Sequence, residues 1–228
     1  IFNSLPLIWG LRCSNMQTSY YSKTLKLVIN GCKYFSKTPN IIIHNSVAGM
    51  NFHKNIRFKN NNIVIFNGID TKKFSLNNKF RNKFRNQFNI DKESKVLLCV
   101  GRVDPMKDHD TMMEAFKKIK NNFSSAVLIL AGLGTDKINK TNGLITLGSC
   151  KDIDQVYSAC DIIVSSSAFG EGFSNALAEG MSSSLIPIAT DVGDAKYIVG
   201  DTGKIIQPKN VDELYNAIKE LLEIDDKI

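Results

Sequence analysis

The sequence of 228 residues carries a formal net charge of +7, and 43% of its residues are hydrophobic while 22% are charged. This composition is typical of a soluble globular protein and excludes the disordered and fibrous classes. The lysines are spread along the chain without a stripe of arginines and aromatic residues, which argues against nucleic-acid binding. A mildly basic surface fits contact with anionic lipid at the inner membrane surface, or attraction of phosphorylated sugars.

Cysteine usage and hydropathy predict a cytoplasmic protein. The five cysteines are odd in number, widely spaced and without a C-x-x-C pair, which indicates neither a disulfide framework nor a zinc site. No stretch approaches about 18 consecutive apolar residues, and the N-terminus lacks the pattern of a signal peptide. The chain begins at Ile1 rather than Met, which suggests a fragment or a processed product.

Residues 1–75 show weaker patterns than the rest of the chain. Residues 40–47 and 62–66 are predicted to form buried strands, and Asn67-Gly68 is a turn signal that ends the second strand. Residues 78–89 are basic and rich in asparagine, which predicts a helix or linker over 76–94. We therefore predict that residues 1–75 are the C-terminal part of an incomplete domain, and that a second domain covers 95–228.

From residue 95 onward, short β-branched runs alternate regularly with amphipathic helical stretches. The predicted strands are 96–101, 126–132, 144–148, 162–166, 185–190 and 203–206. The predicted helices are 111–122, 152–159, 174–183 and 211–223. This alternation indicates an α/β fold with a doubly wound, Rossmann-like parallel sheet, which binds ligands at the carboxyl ends of its strands.

The first chemical signal lies directly after the strand predicted at 96–101. There the chain runs through Gly101 to Arg102 and Lys107, two cations five residues apart. Arginine offers a planar fork for phosphate oxygens, and lysine offers a compact charge that can follow a leaving group. Two solvated surface cations are the alternative explanation for this motif taken alone.

The second signal is segment 171–179, which runs from a strand end through a glycine-flanked turn into a helix. Ser174 or Asn175 suits the N-cap position, so the backbone N–H groups of residues 173–176 would point at a phosphate. Glu171 precedes the helix and Glu179 lies about one turn inside it, and carboxylates accept hydrogen bonds from sugar hydroxyls. The alternative is that Glu179 is a solvated helix residue, although its neighbours are small and apolar.

Together these motifs resemble the retaining glycosyltransferases of the large GT-B family 4. Residues 101–107 match that family's G-R-x-x-x-x-K element, and residues 171–179 match its E-x7-E element, including the G-F-S-N interior. The similarity covers about residues 40–223 and includes Thr190-Asp191-Val192-Gly193-Asp194, Asp201-Thr202-Gly203, and Asn67-Gly68-Ile69-Asp70 with Phe74 as an interdomain segment. It implies a GT-B fold whose N-terminal Rossmann-like domain is represented only by its tail. The implied reaction transfers a sugar, with retention, from a nucleoside diphosphate, expected to be UDP, to a glycan or lipid-linked acceptor.

The family pattern also implies a role for each matching residue. Arg102 and Lys107 would grip the donor diphosphate, Glu171 would bind hydroxyls of the transferred sugar, and Glu179 would bind the ribose. The loop 148–152 would frame the base, but base selectivity is not implied, because the family often carries an arginine there and this chain has none. The remaining residues of the predicted donor site are Gly101, Gly148, Lys151, Gly172, Phe173, Ser174, Asn175 and Leu177.

No cofactor and no metal are expected, because two cations and a helix N-terminus would stabilise the leaving diphosphate. Two D-x-D triplets, at 108–110 and 152–154, are the kind of motif that binds metals in the other glycosyltransferase fold. Each lies at a predicted helix start, where aspartate is favoured for capping. His109 is better explained as structural than as a general base, and Arg12 is a further hypothesis for the acceptor side.

Two alternatives stay open at this point. The chain could be a non-catalytic sugar-nucleotide-binding half that needs a partner subunit. It could also belong to a GT-B epimerase or phosphorylase, which would share the fold without carrying the E-x7-E element in this form.

Overall fold

The computed structural model describes residues 5–59 and 61–224, which form two compact units. The smaller unit combines the described residues up to 68 with 169–174 and 192–194, and the larger unit takes 69–168, 175–191 and 195 onward. Each unit is therefore built from separate stretches of chain. The domain division predicted above, at 75 and 95, stays a prediction, and Ile1 lies outside the described residues.

Three parallel strands and two helices form the smaller unit, with the strands in the order β1-β2-β3. The elements are β1 (Ile8–Leu11), α1 (Lys23–Phe35), β2 (Ile41–His44), α2 (Val47–Asn55) and β3 (Asn62–Val64), with a 3₁₀ turn at Thr18–Tyr20. The strands predicted at 40–47 and 62–66 are confirmed in shorter form, whereas β1, α1 and α2 were not predicted. Strand β2 ends early because Ser46 caps α2, its hydroxyl oxygen accepting a hydrogen bond from the N–H of Gly49 at 3.0 Å.

Six parallel strands form the sheet of the larger unit, and all six are the strands predicted from the sequence after residue 95. They are β4 (Val96–Val100), β5 (Val127–Ala131), β6 (Leu144–Thr146), β7 (Ile162–Ser165), β8 (Ile186–Thr190) and β9 (Lys204–Ile206). The helices are α3 (Asn78–Gln87), α4 (His109–Asn122), α5 (Ile153–Ala159), α6 (Asn175–Ser182), α7 (Ala195–Val199) and α8 (Val211–Leu222). Of these helices, only α7 was not predicted.

Side-chain alternation along the strands divides the core of the larger unit into two layers. On β4, Leu97 and Cys99 face one layer, while Val96 and Leu98 face the other. Helices α4 and α8 cover the first layer, and α3, α5, α6 and α7 contribute to the second. Burying each large aliphatic side chain stabilises the fold by about 1.5 to 3 kcal/mol, so both helix layers are held firmly against the sheet.

The order of strands in this sheet is β6-β5-β4-β7-β8-β9. Within the unit, β4 is therefore the first strand along the chain, and the order corresponds to 3-2-1-4-5-6, that of a dinucleotide-binding fold. The direction of winding reverses between β4 and β7, which leaves a crevice at their carboxyl ends. Residues that follow β4 and β7 are consequently the ones placed to meet a ligand.

Helix α3 is the segment that the sequence left open between helix and linker. Asn77 caps it, its side-chain oxygen accepting from the N–H groups of Lys79 and Phe80. Asp161, just before β7, accepts from Arg81 at 2.6 Å and from Arg85 at 2.9 Å. The side chain of Arg85 is only 5% exposed, so this ion pair ties α3 into the body of the larger unit.

Within residues 5–59 and 61–224, none of the helices combines the length and apolar character needed to cross a bilayer.

Candidate functional site

The loop after β4 begins at Gly101, where the stem of Lys107 occupies the space of a side chain. A Cβ on Gly101 would lie 3.0 Å from Cδ and 3.1 Å from Cγ of Lys107, whose stem crosses the glycine. Gly132, at the end of β5, has φ +146° and its own Cβ would lie 2.1 Å from the carbonyl oxygen of Gly101. Glycine at both positions lets the two strand ends approach and lets the Lys107 stem lie flat across them.

Arg102 follows Gly101 and is paired with Asp104. The Nε and Nη2 atoms of Arg102 each lie 3.1 Å from Oδ2 of Asp104, and the arginine side chain is 53% exposed. The other carboxylate oxygen of Asp104 accepts from the N–H of Met106 at 2.9 Å. A guanidinium has five N–H donors, so the pair with Asp104 orients Arg102 and leaves donors that can meet a phosphate.

Hydrogen bonds fix this loop to the segment that follows β7. The N–H of Ala168 donates to the carbonyl of Met106 at 2.8 Å, and the hydroxyl of Ser166 lies 3.0 Å from the carbonyl of Lys107. His109, the first residue of α4, is buried, and burial together with the charge of Lys107 lowers its pKa. A neutral, buried imidazole fits the structural role predicted for His109.

The loop after β6 contains Gly148 and Lys151, the residues predicted to frame a base. Gly148 has φ +64°, its N–H donates to the hydroxyl of Thr135 at 3.0 Å, and its carbonyl accepts from the N–H of Gly132 at 2.7 Å. Lys151 is exposed. The backbone at Gly148 is therefore held against the end of β5, while the Lys151 side chain extends into solvent.

Helix α6 begins at Asn175, which puts Ser174, one of the two residues predicted for it, at the N-cap position. The side chain of Leu177 is fully buried in the core of the larger unit, so only its backbone N–H is available to a ligand. Glu179 lies one turn after the start of α6, and its Oε2 atom accepts a hydrogen bond from the hydroxyl of Tyr157 at 3.0 Å. Burial raises the pKa of Glu179, opposed by that hydrogen bond and by the charge of Lys73.

Glu171 and Gly172 belong to the smaller unit, where their backbone is tightly enclosed. Glu171 is 9% exposed. A Cβ on Gly172 would lie 2.6 Å from Oδ1 of Asn45, and a Cβ on Gly193, which has φ +65°, would lie 2.5 Å from the carbonyl oxygen of Glu171. Gly172 is required by the side chain of Asn45 packed against it, and Gly193 by the close packing of backbone on backbone.

Further contacts hold the same loop within the smaller unit. The N–H of Ser14 donates to the carbonyl of Gly170 at 3.1 Å, and the ring of Phe173 lies 6.0 Å from that of Phe66. Asp194 donates its N–H to the carbonyl of Gly172 at 3.1 Å. The E-x7-E element, a single motif in the sequence, is thus divided between the two units, with 171–174 in the smaller and 175–179 in the larger.

The two D-x-D triplets lie at helix starts, as the sequence predicted. Asp108, with φ +48°, is the N-cap of α4, and its carboxylate accepts from the hydroxyl of Thr111 at 2.8 Å. Asp152 occupies the N-cap position of α5. Among the residues that the structure describes, no cluster of three or more His, Cys, Asp or Glu side chains is arranged to hold a metal ion.

Comparison with known families decides the classification of this chain. The sequence profile of the family "Glycosyl transferases group 1" matches residues 80–227, which is more than half of the chain. The chain belongs to the group 1 glycosyl transferases. The matched region contains the loop after β4 and the whole E-x7-E element, the two motifs that carried the resemblance.

Two curated glycosyltransferases are similar to this chain over part of their own length. It is 28% identical over 152 residues to a Campylobacter jejuni 4-alpha-N-acetylgalactosaminyltransferase named for an undecaprenol-diphosphate-linked acceptor, covering 61% of this chain and 40% of that protein. It is 26% identical over 204 residues to an uncharacterized glycosyltransferase of Methanocaldococcus jannaschii, covering 84% and 49%. The chain therefore spans less than half the length of these curated relatives.

Among solved structures, Anabaena HepE in complex with UDP and glucose has the same fold. Its TM-score is 0.81 with 23% sequence identity, and the match covers 96% of this chain and 62% of HepE. The GT-B fold predicted for this group 1 glycosyl transferase chain is confirmed.

Two side chains that contact predicted site residues were not predicted from the sequence. Asp104 orients Arg102, and Tyr157 contacts Glu179. A carboxylate two residues after Arg102 was a readable signal for the first contact. The second joins residues 22 positions apart on different helices, and nothing in the sequence pattern indicated it.

Proposed function

We propose that this chain is the donor-binding part of a glycosyltransferase that uses a nucleoside diphosphate sugar. The observation that carries the proposal is the loop after β4, which presents Arg102 and Lys107 at the reversal point of the sheet and is bonded to the segment after β7. Ligands of doubly wound folds bind at this position, and two cations there suit a diphosphate.

Each predicted site residue has a part in the proposed mechanism. As the anomeric bond breaks, negative charge grows on the leaving diphosphate, and Arg102 and Lys107 stabilise that charge. The N–H groups at the start of α6 add further stabilisation. Glu171 accepts hydrogen bonds from the transferred sugar, and Glu179 accepts them from the ribose. Gly148 and Lys151 border the base.

The donor nucleotide in this proposal is UDP, and binding requires no metal ion. HepE, a protein of the same fold, was solved with UDP and glucose, so UDP is the first nucleotide to test, with GDP and ADP as comparisons. Because cationic side chains supply the charge that a divalent metal would supply, calorimetry should give the same affinity for UDP with and without EDTA. Absolute dependence on Mg²⁺ or Mn²⁺, or failure to bind any of the three nucleotides, would refute the proposal.

Retention of anomeric configuration, membership of family 4 and a glycan or lipid-linked acceptor complete the proposed activity. The G-R-x-x-x-x-K and E-x7-E elements support retention and family 4, and the Campylobacter relative, named for a diphospho-undecaprenol acceptor, supports a lipid-linked one. Proton NMR of the first product formed from UDP-glucose would test retention, because an α-configured donor must then give an α-linked product.

The second candidate is a sugar-nucleotide-binding half that turns over only with a partner polypeptide. Parallel sheets are normally covered on both faces, yet in the smaller unit Leu7 and Ile8 at β1 are 47% and 53% exposed, and Ile63 on β3 is 40% exposed. These apolar strands suit a partner that supplies further α/β structure. UDP binding by this chain without any sugar transfer, and transfer restored by an added polypeptide, would select this candidate.

We also propose a cytoplasmic location with peripheral membrane contact through α1. All five cysteines are free thiols, in keeping with a reducing compartment. Helix α1 buries none of its side chains, exposes Leu27 and Val28, and carries Lys23, Lys26 and Lys33. An exposed apolar and basic helix suits anionic lipid. Cosedimentation with vesicles containing anionic lipid, but not with neutral vesicles, is the expected result.

A further inference from the structure

Tyr157 is a polar residue in the interior of the larger unit. Its side chain is fully buried, and its hydroxyl lies 3.0 Å from Oε2 of Glu179 and 3.1 Å from the carbonyl oxygen of Ala176. Both contacts are with α6, whereas Tyr157 is on α5. The hydroxyl therefore joins the two helices at the residue proposed to bind the ribose.

The hydroxyl has one proton for two acceptors. The ionised carboxylate of Glu179 and the carbonyl of Ala176 both lie within hydrogen-bond distance of that proton. Burial and the neighbouring Glu179 raise the pKa of Tyr157 far above its ordinary value, so the phenol stays protonated. The hydrogen bond fixes one carboxylate oxygen of Glu179 and leaves the other oxygen, Oε1, as the acceptor that can turn to a ligand.

The ring of Tyr157 is itself held in place by the segment that precedes α3. Phe74 packs edge-on against it with ring centroids 5.7 Å apart. The carbonyl of Phe74 accepts from the hydroxyl of Ser182 at 2.5 Å, and the N–H of Phe74 donates to the carbonyl of Asp70 at 2.9 Å. Phe74 is thereby bonded to the far end of α6, and the ring of Tyr157 cannot swing away from Glu179.

We propose that Tyr157 is a positioning residue for nucleotide binding, which holds the carboxylate of Glu179 in the orientation that accepts a ribose hydroxyl. This inference rests on the proposed function, because it takes the ribose as the partner of Glu179. Phe74, which belongs to the segment that resembles the family's interdomain segment, packs against the ring of Tyr157. Orientation held in advance avoids the entropy cost of ordering a flexible glutamate when the ligand arrives.

The test compares Tyr157→Phe with the unmodified chain, using UDP and 2′,3′-dideoxy-UDP as calorimetric probes. In this variant Glu179 keeps its carboxylate but loses its fixed orientation, so losing about half of its charge-assisted hydrogen bond to the ribose should weaken UDP about three- to tenfold. The dideoxy probe, which lacks the hydroxyls that Glu179 would bind, should lose nothing. Tyr215→Phe is the matched control, because it removes a hydroxyl that accepts from Asn122 at an exposed position, and it should bind both probes normally.

A pH series separates positioning from a merely structural role. Burial raises the pKa of Glu179, while the Tyr157 hydrogen bond and the charge of Lys73 lower it. In the Tyr157→Phe chain the pKa of Glu179 should rise, so UDP affinity should begin to fall at a higher pH as the solution is acidified. A second variant, Phe74→Leu, keeps both polar groups and should shift the profile in the same direction by less.

The possible outcomes distinguish the inference from the proposed function. If the unmodified chain bound none of UDP, GDP and ADP, the proposed function would fail and the inference with it. If UDP bound, but Tyr157→Phe either had no effect or weakened both probes equally with an unchanged pH profile, only the role of Tyr157 would be overturned.

Discussion

Replacing Gly101 with alanine should weaken nucleotide binding while leaving the fold intact. The new Cβ would lie 3.0 to 3.2 Å from three carbons of the Lys107 stem, whereas carbon atoms pack comfortably at about 3.5 to 4.0 Å. The stem must therefore move by roughly 0.5 Å or more. It is a flexible side chain, so it can move, and its ammonium group moves with it.

The expected magnitudes follow from that geometry. Gly101 has no positive φ, so alanine is compatible with its backbone and should change stability by less than about 1 kcal/mol. A charge-assisted hydrogen bond is worth about 1.5 to 3 kcal/mol, and a displaced ammonium group that keeps about half of it would weaken UDP roughly three- to tenfold. Calorimetry with UDP and a thermal melt measure the two effects separately.

Gly132→Ala provides the matched control for this substitution. Its Cβ would lie 2.1 Å from the carbonyl oxygen of Gly101, and its φ of +146° does not suit alanine, so strain of about 1 to 3 kcal/mol should lower the melting temperature. If Gly101→Ala bound UDP as tightly as the unmodified chain while Lys107→Ala did not, a side chain at position 101 would not displace the ammonium group of Lys107.

Three further predictions concern other parts of the chain. Asp161→Ala should cost about 3 to 5 kcal/mol, because it leaves the buried charge of Arg85 unpaired, and a thermal melt should fall by about 6 to 20 °C. Asp161→Asn, which keeps an acceptor, should cost less. Glu171→Gln should leave UDP affinity nearly unchanged but weaken UDP-glucose, as calorimetry with both ligands would show, and equal loss of both would contradict its assignment to the sugar. Asp194→Ala should destabilise the start of α2 by about 0.5 to 2 kcal/mol, seen as faster hydrogen exchange there, since its carboxylate accepts from the N–H groups of Val47 and Ala48 at 2.7 and 2.8 Å.

The larger unit could be predicted from the sequence because each of its strands and most of its helices have a clear local sequence pattern. Central parallel strands such as β4 and β7 are continuous apolar runs, and helices such as α4 and α8 repeat apolar residues at helical spacing. The glycine in G-R-x-x-x-x-K and the turn before α6 follow strand ends, where this fold binds ligands. The resemblance of these motifs to known glycosyltransferases added the proposed roles.

The smaller unit was harder to predict because its patterns are weak and its contacts are remote. Strand β1 has only four residues and contains Gly10, and α1 contains Gly31, so a glycine weakens the sequence pattern of both elements. The enclosure of Glu171 depends on Gly193, and that of Gly172 on Asn45, both distant in sequence. No local pattern could indicate that the E-x7-E element would be shared between two compact units.

The capping of α2 by Asp194 has a consequence for how the protein is made on the ribosome. The carboxylate that satisfies the N–H of Val47 lies 147 residues later in the chain. The loop that packs on Asn45 is also translated late, after residue 168. N-terminal regions usually fold first during synthesis, at about 5 to 20 residues per second. Residues 5–68 of this chain are therefore translated about 6 to 25 seconds before Asp194 emerges, and during that interval their apolar strands lack the partners that complete the smaller unit.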